Sequence, residues 1–325
     1  MLGNFNENSC RERPDPAALL PLLRSIRFDR KSLSGVVKLL FFAVAQFLPI
    51  RFVSGVGAYF GERHAVLGLA ANRLWVQRLR CNLDRYGIAS PPAQREQRIV
   101  AFMHRVGRIH SELLVASRMV AQGGIEIVGQ ENLERLNGPT IIVSCHLSNW
   151  EFVSGIALNS PTCVLYEPPA DPFDHFIACR TRLARTRNWE FIPSAGNAMR
   201  RIARALADRK NVVIFADEEK NGYIWSPRLG RDIPCEGNRW FAARLAVRYG
   251  AQILPVYVQT KGVASYRVVI EPPVEPFVSG IPNDDARRLA DFIDDRLNVW
   301  VSSNIEYWFY LPFFDWRVDP PRYTS

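Results

Sequence analysis

Short β-rich segments alternate with helical segments from Gly123 onward, and this alternation constrains the fold more than any other feature of the chain. The β-rich segments are Ile125–Val128, Thr140–Ser144, Thr162–Tyr166, Val212–Ala216, Ile253–Gln259 and Tyr266–Ile270. Helical patterns lie between several of them, notably Ala198–Arg209 and Arg239–Tyr249. Such alternation is typical of parallel strands covered by helices. The sequence therefore predicts an α/β fold, an αβα sandwich with a mostly parallel central sheet.

The chain before Gly123 has a different character. Helical patterns cover Glu62–Tyr86 and, after the Ser90-Pro91-Pro92 break, the stretch from Pro92 to Gln122. We divide the chain into a polar and basic segment (residues 1–35), an N-terminal helical region (36–122) and an α/β domain (123–325).

An apolar stretch, Leu39–Leu48, opens the helical region and is closed by Pro49 and Arg51. About 20 apolar residues are needed to span a bilayer, and this stretch is about half that length. It predicts a monotopic or partly inserted helix, held at an anionic membrane surface by preceding basic residues. An ordinary core helix is the alternative. The basic residues are Arg24, Arg27, Arg30 and Lys31.

A histidine and a glutamate stand five residues apart where a buried strand ends. His146 follows the apolar run Thr140–Val143, and Glu151 follows a short polar stretch. In open α/β sheets, ligands bind at the carboxyl ends of strands. Ser148 or Asn149 is expected to cap a helix starting near Trp150. A strand–turn–helix corner would fold the Glu151 carboxylate onto the imidazole, as a general base requires.

The segment His146-Leu-Ser-Asn-Trp-Glu151 resembles the His-x4-Asp/Glu motif of the lysophospholipid acyltransferase superfamily, and its Asn-Trp-Glu ending resembles the bacterial lipid A late-acyltransferase branch. The similarity covers roughly residues 36–317. Further matching stretches are Leu48–Arg51, Arg80–Leu83, Val212–Glu219 and Ala242–Val256.

The resemblance implies an acyltransferase that moves a fatty acyl group from an acyl thioester to a hydroxyl of a lipid A precursor or related lipid. His146 would be the base and Glu151 its orienter, with no acyl-enzyme and no metal or cofactor. Backbone amides near Ser148–Trp150, together with Arg182, would stabilise the oxyanion. It also implies a bacterial inner-membrane location with the catalytic domain facing the cytoplasm. Predicted substrate-binding residues are Asn149, Trp150, Arg182, Arg185, Asp217 and Glu219. Among the arginines Arg182 matches the family's basic position best, and Arg185 and Arg187 are the alternatives.

The charge of the chain indicates which classes of molecule can bind to it. The net charge is +9, and 36 of the 41 basic residues are Arg, which binds phosphate and carboxylate through two parallel hydrogen bonds. Phospholipid headgroups, acyl-CoA and an acidic acyl carrier protein all fit, and the resemblance favours the carrier protein. No nucleic-acid-binding pattern is present, so we expect no nucleic acid partner.

The six Cys lack a CxxC spacing, which favours a reduced compartment.

The sequence departs from the family pattern in the acceptor-facing region. Asp217-Glu218-Glu219 replaces the usual Asp-Gln/His-Asp, and residues 221–231 lack the common Phe-Phe-Gly. The acceptor is therefore open among lipid A precursors and other lysolipids or glycolipids. Two other functions stay open: a metal-dependent phosphoesterase using His146 with the 217–219 carboxylates, and a non-catalytic protein that binds anionic lipid.

Overall fold

A seven-stranded sheet forms the centre of the computed structural model, which describes residues 30–87, 91–156, 161–183, 188–194 and 196–320. The strands of the sheet are β1 (Ile125–Val128), β2 (Thr140–Ser144), β3 (Thr162–Tyr166), β4 (Trp189–Pro193), β5 (Asn211–Phe215), β8 (Gln252–Gly262) and β9 (Ser265–Ile270). Their order across the sheet is β1-β9-β8-β2-β5-β3-β4, and all neighbours are parallel except β8 and β9. The predicted α/β class and mostly parallel sheet are confirmed. A separate antiparallel ribbon consists of β6 (Glu219–Lys220) and β7 (Tyr223–Ile224).

Helices cover both faces of the sheet, and short 3₁₀ turns (130–135, 150–155 and 305–307) lie between elements. The α-helices are α1 (Arg30–Ala45), α2 (Ile50–Ala70), α3 (Leu74–Arg85), α4 (Pro92–Leu113), α5 (Ala116–Ala121), α6 (Pro172–Leu183), α7 (Ala198–Ala207), α8 (Gly237–Tyr249) and α9 (Pro282–Ser303).

The alternation of side chains along the strands separates two hydrophobic layers. On β2, Ile141 and Val143 pack in one layer with α3, α7, α8 and α9. Ile142 lies in the other layer, where α2, α5 and the 3₁₀ turn at 150–155 contribute Val53, Met119 and Phe152. Because successive strand residues point to opposite faces, a strand buried on both faces has an apolar side chain at nearly every position. This explains the apolar run before His146.

The structure corrects several predicted boundaries. The helix expected over Glu62–Tyr86 is interrupted after Ala70, because Asn72 has a left-handed backbone (φ 44°). The helix expected from Pro92 to Gln122 divides at Leu114 and Val115 into α4 and α5. Strand β4 and helix α9 were not predicted: β4 is a half-exposed edge strand containing Glu190, and α9 has a polar, Asp- and Arg-rich outer face. The boundary between residues 122 and 123 stays a prediction.

The N-terminal helices α2 and α4 pack unusually closely, because glycines face each other at the crossing. A Cβ atom added to Gly107 would lie 2.1 Å from the carbonyl oxygen of Gly57, and one added to Gly61 would lie 2.0 Å from that of Met103. Any larger side chain would therefore push the two backbones apart.

Within the described part of the chain, no helix combines the length and apolar character needed to cross a membrane.

We predict that Gly107→Ala lowers the free energy of unfolding by about 1–3 kcal/mol, because the added methyl group overpacks the α2–α4 contact. Urea unfolding in detergent, followed by circular dichroism, measures the change. Gly55→Ala is the matched control: nothing lies within 4 Å of a Cβ at this exposed α2 position. That substitution should be neutral or stabilise by about 0.5–1 kcal/mol. Equal effects of the two changes would contradict the close packing.

Candidate active site

The register of two parallel strands brings the histidine and an aspartate together. Ser144 of β2 is paired with Phe215 of β5, so the residues two positions beyond each strand are neighbours at the carboxyl edge of the sheet. These residues are His146 and Asp217. The edge is where open α/β sheets place their ligands, and the strand pairing alone determines that these two side chains meet.

Asp217 is fully buried and accepts three hydrogen bonds. Its Oδ1 lies 2.9 Å from His146 Nδ1, and its Oδ2 accepts the His146 backbone N–H at 2.8 Å and the Trp308 indole N–H at 2.9 Å. An ionised Asp217 can only accept hydrogen bonds, so it favours the tautomer in which Nδ1 donates to Oδ1. In that neutral tautomer Nε2 carries no proton and can act as a base.

Aromatic rings surround the imidazole. The centroids of Phe215, Tyr310 and Trp150 lie 4.8, 4.9 and 5.0 Å from that of His146, and the Phe309 ring lies at 6.5 Å. The His146 side chain nevertheless keeps 20% of its surface exposed, toward a cavity that it lines. Burial, together with the charge of Asp217, raises the pKa of Tyr310, so its phenol stays protonated. The base thus faces the cavity from apolar surroundings.

The C-terminal aromatic stretch (residues 307–316) forms backbone hydrogen bonds with the loop that contains His146. The Phe309 N–H donates to the His146 carbonyl oxygen at 2.9 Å, and the Ser148 N–H donates to the Tyr307 carbonyl oxygen at the same distance. Trp308 and Phe314 are completely buried. These two rings are therefore part of the hydrophobic core. The sequence showed the aromatic cluster but not that its indole would bind Asp217.

Glu151 binds an arginine from the neighbouring helix. Its Oε1 lies 2.5 Å from Nη2 of Arg182, and Nε of Arg182 lies 3.2 Å from both carboxylate oxygens. Both side chains are mostly buried, and the guanidinium also lies over the rings of Tyr166 and Phe191. Burial opposes the charge on Arg182, but the charge of Glu151 outweighs it and raises the pKa of the guanidinium. The pair places a fixed, compensated cation in the cavity wall.

This geometry corrects the expected contact between Glu151 and the imidazole Nδ1. Asp217 occupies that position, since the strand register puts it there, whereas the 3₁₀ turn at 150–155 directs Glu151 toward Arg182. A catalytic role of Glu151 stays a prediction. The expected side-chain cap at Asn149 does not form, and the Ser148 amide is bonded to Tyr307, so it is not an oxyanion donor.

The structure places four of the six predicted substrate-binding residues in the wall of the cavity that His146 lines. They are Trp150, Arg182, Asp217 and Glu219. Asn149 is fully buried outside the cavity lining, in the vicinity of the Tyr266 hydroxyl. Arg185 lies outside the described residues.

The three carboxylates at 217–219 have different hydrogen-bond partners. Asp217 binds His146, Glu218 accepts the Asn238 N–H at 3.0 Å, and Glu219 accepts the Gly222 N–H at 2.7 Å. Among the residues described by the structure, no group of three or more His, Cys, Asp or Glu side chains is placed to bind a metal ion. The shared cation site on which the phosphoesterase alternative depended is therefore not formed by these carboxylates.

The cavity that His146 faces is large, about 2130 Å³. One part has an apolar wall from the α2 layer of the sheet, and another part extends between α7 and α8. Residues of the apolar wall include Leu114, Val153, Val164, Phe191 and Val213. A base beside a large cavity with an apolar wall is suited to deprotonating a hydroxyl near a bound hydrocarbon chain.

Comparison with known proteins gives a family match over most of the chain. The sequence model of the family described as "Bacterial lipid A biosynthesis acyltransferase" matches residues 30–312. A crystal structure of the 1-acyl-sn-glycerophosphate (LPA) acyltransferase, PlsC, from Thermotoga maritima is 15% identical, with 84% of this chain and 97% of that chain covered and a TM-score of 0.38. Among curated proteins, no significant match was found.

We predict that Asp217→Asn lowers kcat by about 10²–10⁴-fold, because its amide N–H₂ would face Nδ1 and favour the tautomer protonated on Nε2. The rate of acyl transfer at saturating substrate measures the effect. Asp208→Asn is the matched control, since this exposed carboxylate precedes the same strand, β5, at its other end. Activity near wild type in Asp217→Asn, with an unchanged unfolding temperature, would remove Asp217 from the mechanism.

Proposed function

We propose, from the premise that the chain belongs to the bacterial lipid A biosynthesis acyltransferase family, that this acyltransferase moves a fatty acyl group from an acyl thioester to a hydroxyl of a lipid. The observation that carries the proposal is the His146–Asp217 pair. In a neutral imidazole paired in this way Nε2 carries no proton, and His146 lines a large, partly apolar cavity.

The chemistry follows from that arrangement. Nε2 of His146 takes the proton of the acceptor hydroxyl while its oxygen attacks the thioester carbonyl carbon. The tetrahedral intermediate then collapses, the C–S bond breaks, and the imidazolium returns the proton to the departing thiolate. Asp217 stabilises the imidazolium between the two steps. The products are an ester and a free thiol, and no acyl-enzyme forms.

The neighbouring thiol supports direct transfer. Cys145 is fully buried, and burial together with the charge of Asp217 raises its pKa well above the ordinary value for a thiol. The thiolate is the nucleophilic form of cysteine. Cys145 is therefore a core residue and not the acyl carrier of a two-step mechanism.

Arg182 is proposed to stabilise negative charge next to the reacting carbon, either on the oxyanion or on an acceptor phosphate. Its guanidinium is kept in place by Glu151 and by the rings of Tyr166 and Phe191. Glu151 is then a positioning residue that acts through Arg182. The family resemblance of the His-x4-Glu segment supports a role for both of its ends.

The acyl donor is proposed to be an acyl thioester of acyl carrier protein in preference to coenzyme A. A lipid A precursor is the acceptor that the family suggests. The Asp217-Glu218-Glu219 step and the sequence at 221–231 differ from the family pattern, so a related glycolipid or lysolipid also fits.

Association with a membrane surface is proposed from the first two helices. Large apolar side chains on α1, α2 and the turn between them are exposed, with 88% of Phe47, 63% of Leu40 and 66% of Phe60 accessible. Exposed apolar side chains clustered on adjacent helices favour a lipid surface, and the nearby exposed Arg51 and Arg63 suit anionic headgroups. We place the protein at the bacterial inner membrane, with its catalytic domain facing the cytoplasm.

Purified protein in detergent, supplied with radiolabelled acyl carrier protein and a bacterial lipid extract, should form a labelled lipid. His146→Ala should reduce this product by about 10²–10⁴-fold, because a positioned base contributes that much. Mass spectrometry of the product identifies the acceptor. Equal labelling by both proteins, with the same unfolding temperature, would remove His146 from the mechanism. No product from carrier or CoA donors would refute the acyl transfer proposed here.

Membrane attachment is tested with vesicles of phosphatidylethanolamine and phosphatidylglycerol. The double change Leu40→Asp, Phe47→Asp should lower co-sedimentation by about tenfold or more, since each buried apolar side chain contributes about 1.5–3 kcal/mol. The matched control is Val278→Asp, at an apolar residue that is 91% exposed but lies before α9. A similar loss in the control, or none in the double variant, would contradict attachment through α1 and α2.

A further inference from the structure

The cavity has a second part, away from the apolar wall, between α7 and α8. Its walls are apolar near the helices and carry arginines at the edge. Met199 and Ala203 of α7 and Trp240 and Phe241 of α8 line this part of the cavity. We call it the α7–α8 groove. Both helices pack on the same sheet layer, opposite the layer that contains α2.

Three exposed arginines line the α7–α8 groove, and we call them the arginine rim: Arg200 on α7, and Arg244 and Arg248 on α8. Arg244 and Arg248 are four residues apart and so lie on one face of the helix. Within the described residues, the ion pairs of the structure involve none of the three. Their charges are therefore available to an external anion.

The length of helix α8 indicates how far the arginine rim lies from His146. Asn238, in its first turn, donates from Nδ2 to the carbonyl oxygen of Phe215 at 3.0 Å, and the Phe215 ring is in contact with His146. With a rise of 1.5 Å per residue, Arg244 and Arg248 lie about 9 and 15 Å farther along the helix axis. An extended pantetheine arm separates a thioester from its phosphate by a distance of this order.

Three carboxylates of the cavity wall lie near the beginning of α8. Glu218 and Glu219 follow β5, and Glu236 precedes α8, whereas Arg244 and Arg248 lie about two and three turns farther along this helix. Along α8 the cavity wall therefore changes from carboxylates at the end near His146 to arginines at the far end. An anionic group is favoured beside Arg244 and Arg248, which orients an arm carrying its charge at one end.

We infer that the arginine rim is the docking surface for an acidic acyl carrier protein, whose phosphopantetheine arm lies in the α7–α8 groove with its phosphate at Arg244 and Arg248. The inference rests on the proposed function and adds where the donor binds. The exposed arginines are complementary in charge to an acidic carrier, which is the donor that the proposed function favours, and the exposed Met199 (45%) offers it an apolar contact beside them. The donor and the membrane-facing helices then occupy opposite layers of the sheet, so a water-soluble carrier and a membrane lipid need not compete for one entrance.

The test compares the variant Arg244→Glu, Arg248→Glu with Arg135→Glu. Arg135 is exposed and precedes β2, at the end of the sheet opposite His146, and is the matched control. First, anisotropy of fluorescently labelled holo-acyl carrier protein measures its Kd for each protein in the His146→Ala background, without any turnover. We expect the rim variant to raise Kd by tenfold or more and to flatten its salt dependence, and the control to leave both unchanged.

Second, steady-state kinetics in the active protein compare acyl carrier protein with acyl-pantetheine, a donor that lacks both the phosphate and the protein. The rim variant should raise KM for the carrier donor by tenfold or more, and that increase should exceed the change for acyl-pantetheine. An unchanged Kd and KM for the carrier would overturn the inference, even if acyl transfer is established. A rise in KM for acyl-CoA alone, with no binding of the carrier, would also overturn it and assign the rim to nucleotide phosphates. Absence of all transfer in wild type is a separate outcome, and the Kd measurement still decides whether the rim binds the carrier.

Discussion

The site depends on one buried carboxylate. Asp217 has no exposed surface, and its oxygens accept the imidazole N–H, a backbone N–H and the Trp308 indole N–H. A buried carboxylate is costly unless each of its acceptor positions is satisfied, so these three contacts stabilise one another. The C-terminal segment, strand β5 and the loop after β2 therefore have to meet at one place. The orientation of the His146 ring is a consequence of how these three segments pack together.

A second ion pair lies in the cavity wall. Glu151 is bound to Arg182, while Asp217 is bound to His146. The two carboxylates of the site therefore have separate partners, since one fixes an arginine and the other orients an imidazole. The His-x4-Glu segment thus contributes its two ends to two different pairs in this protein.

Some residues of the site could be predicted from the sequence, and others could not. The apolar run Thr140–Ser144 placed His146 at a strand end, because a strand buried on both faces has a recognisable composition. Glu151 lies close in sequence, so local reasoning assigned it to the ring. Asp217 is 71 residues away and meets His146 only through the pairing of β2 with β5. Trp308 is 91 residues beyond Asp217, and no local pattern in the sequence indicates that its indole binds this carboxylate.

By itself the sequence determined the fold class, the position of His146 at the end of a buried strand and the apolar character of the first helices, since periodicity, composition and a short local motif are sufficient for these. Only the tertiary structure decided which carboxylate holds the imidazole, which arginine is bound to Glu151, and which arginines remain along the α7–α8 groove. Those choices depend on strand order and register, and on which helices share a layer. They bring together residues that are distant in sequence, and no local pattern in the chain encodes them.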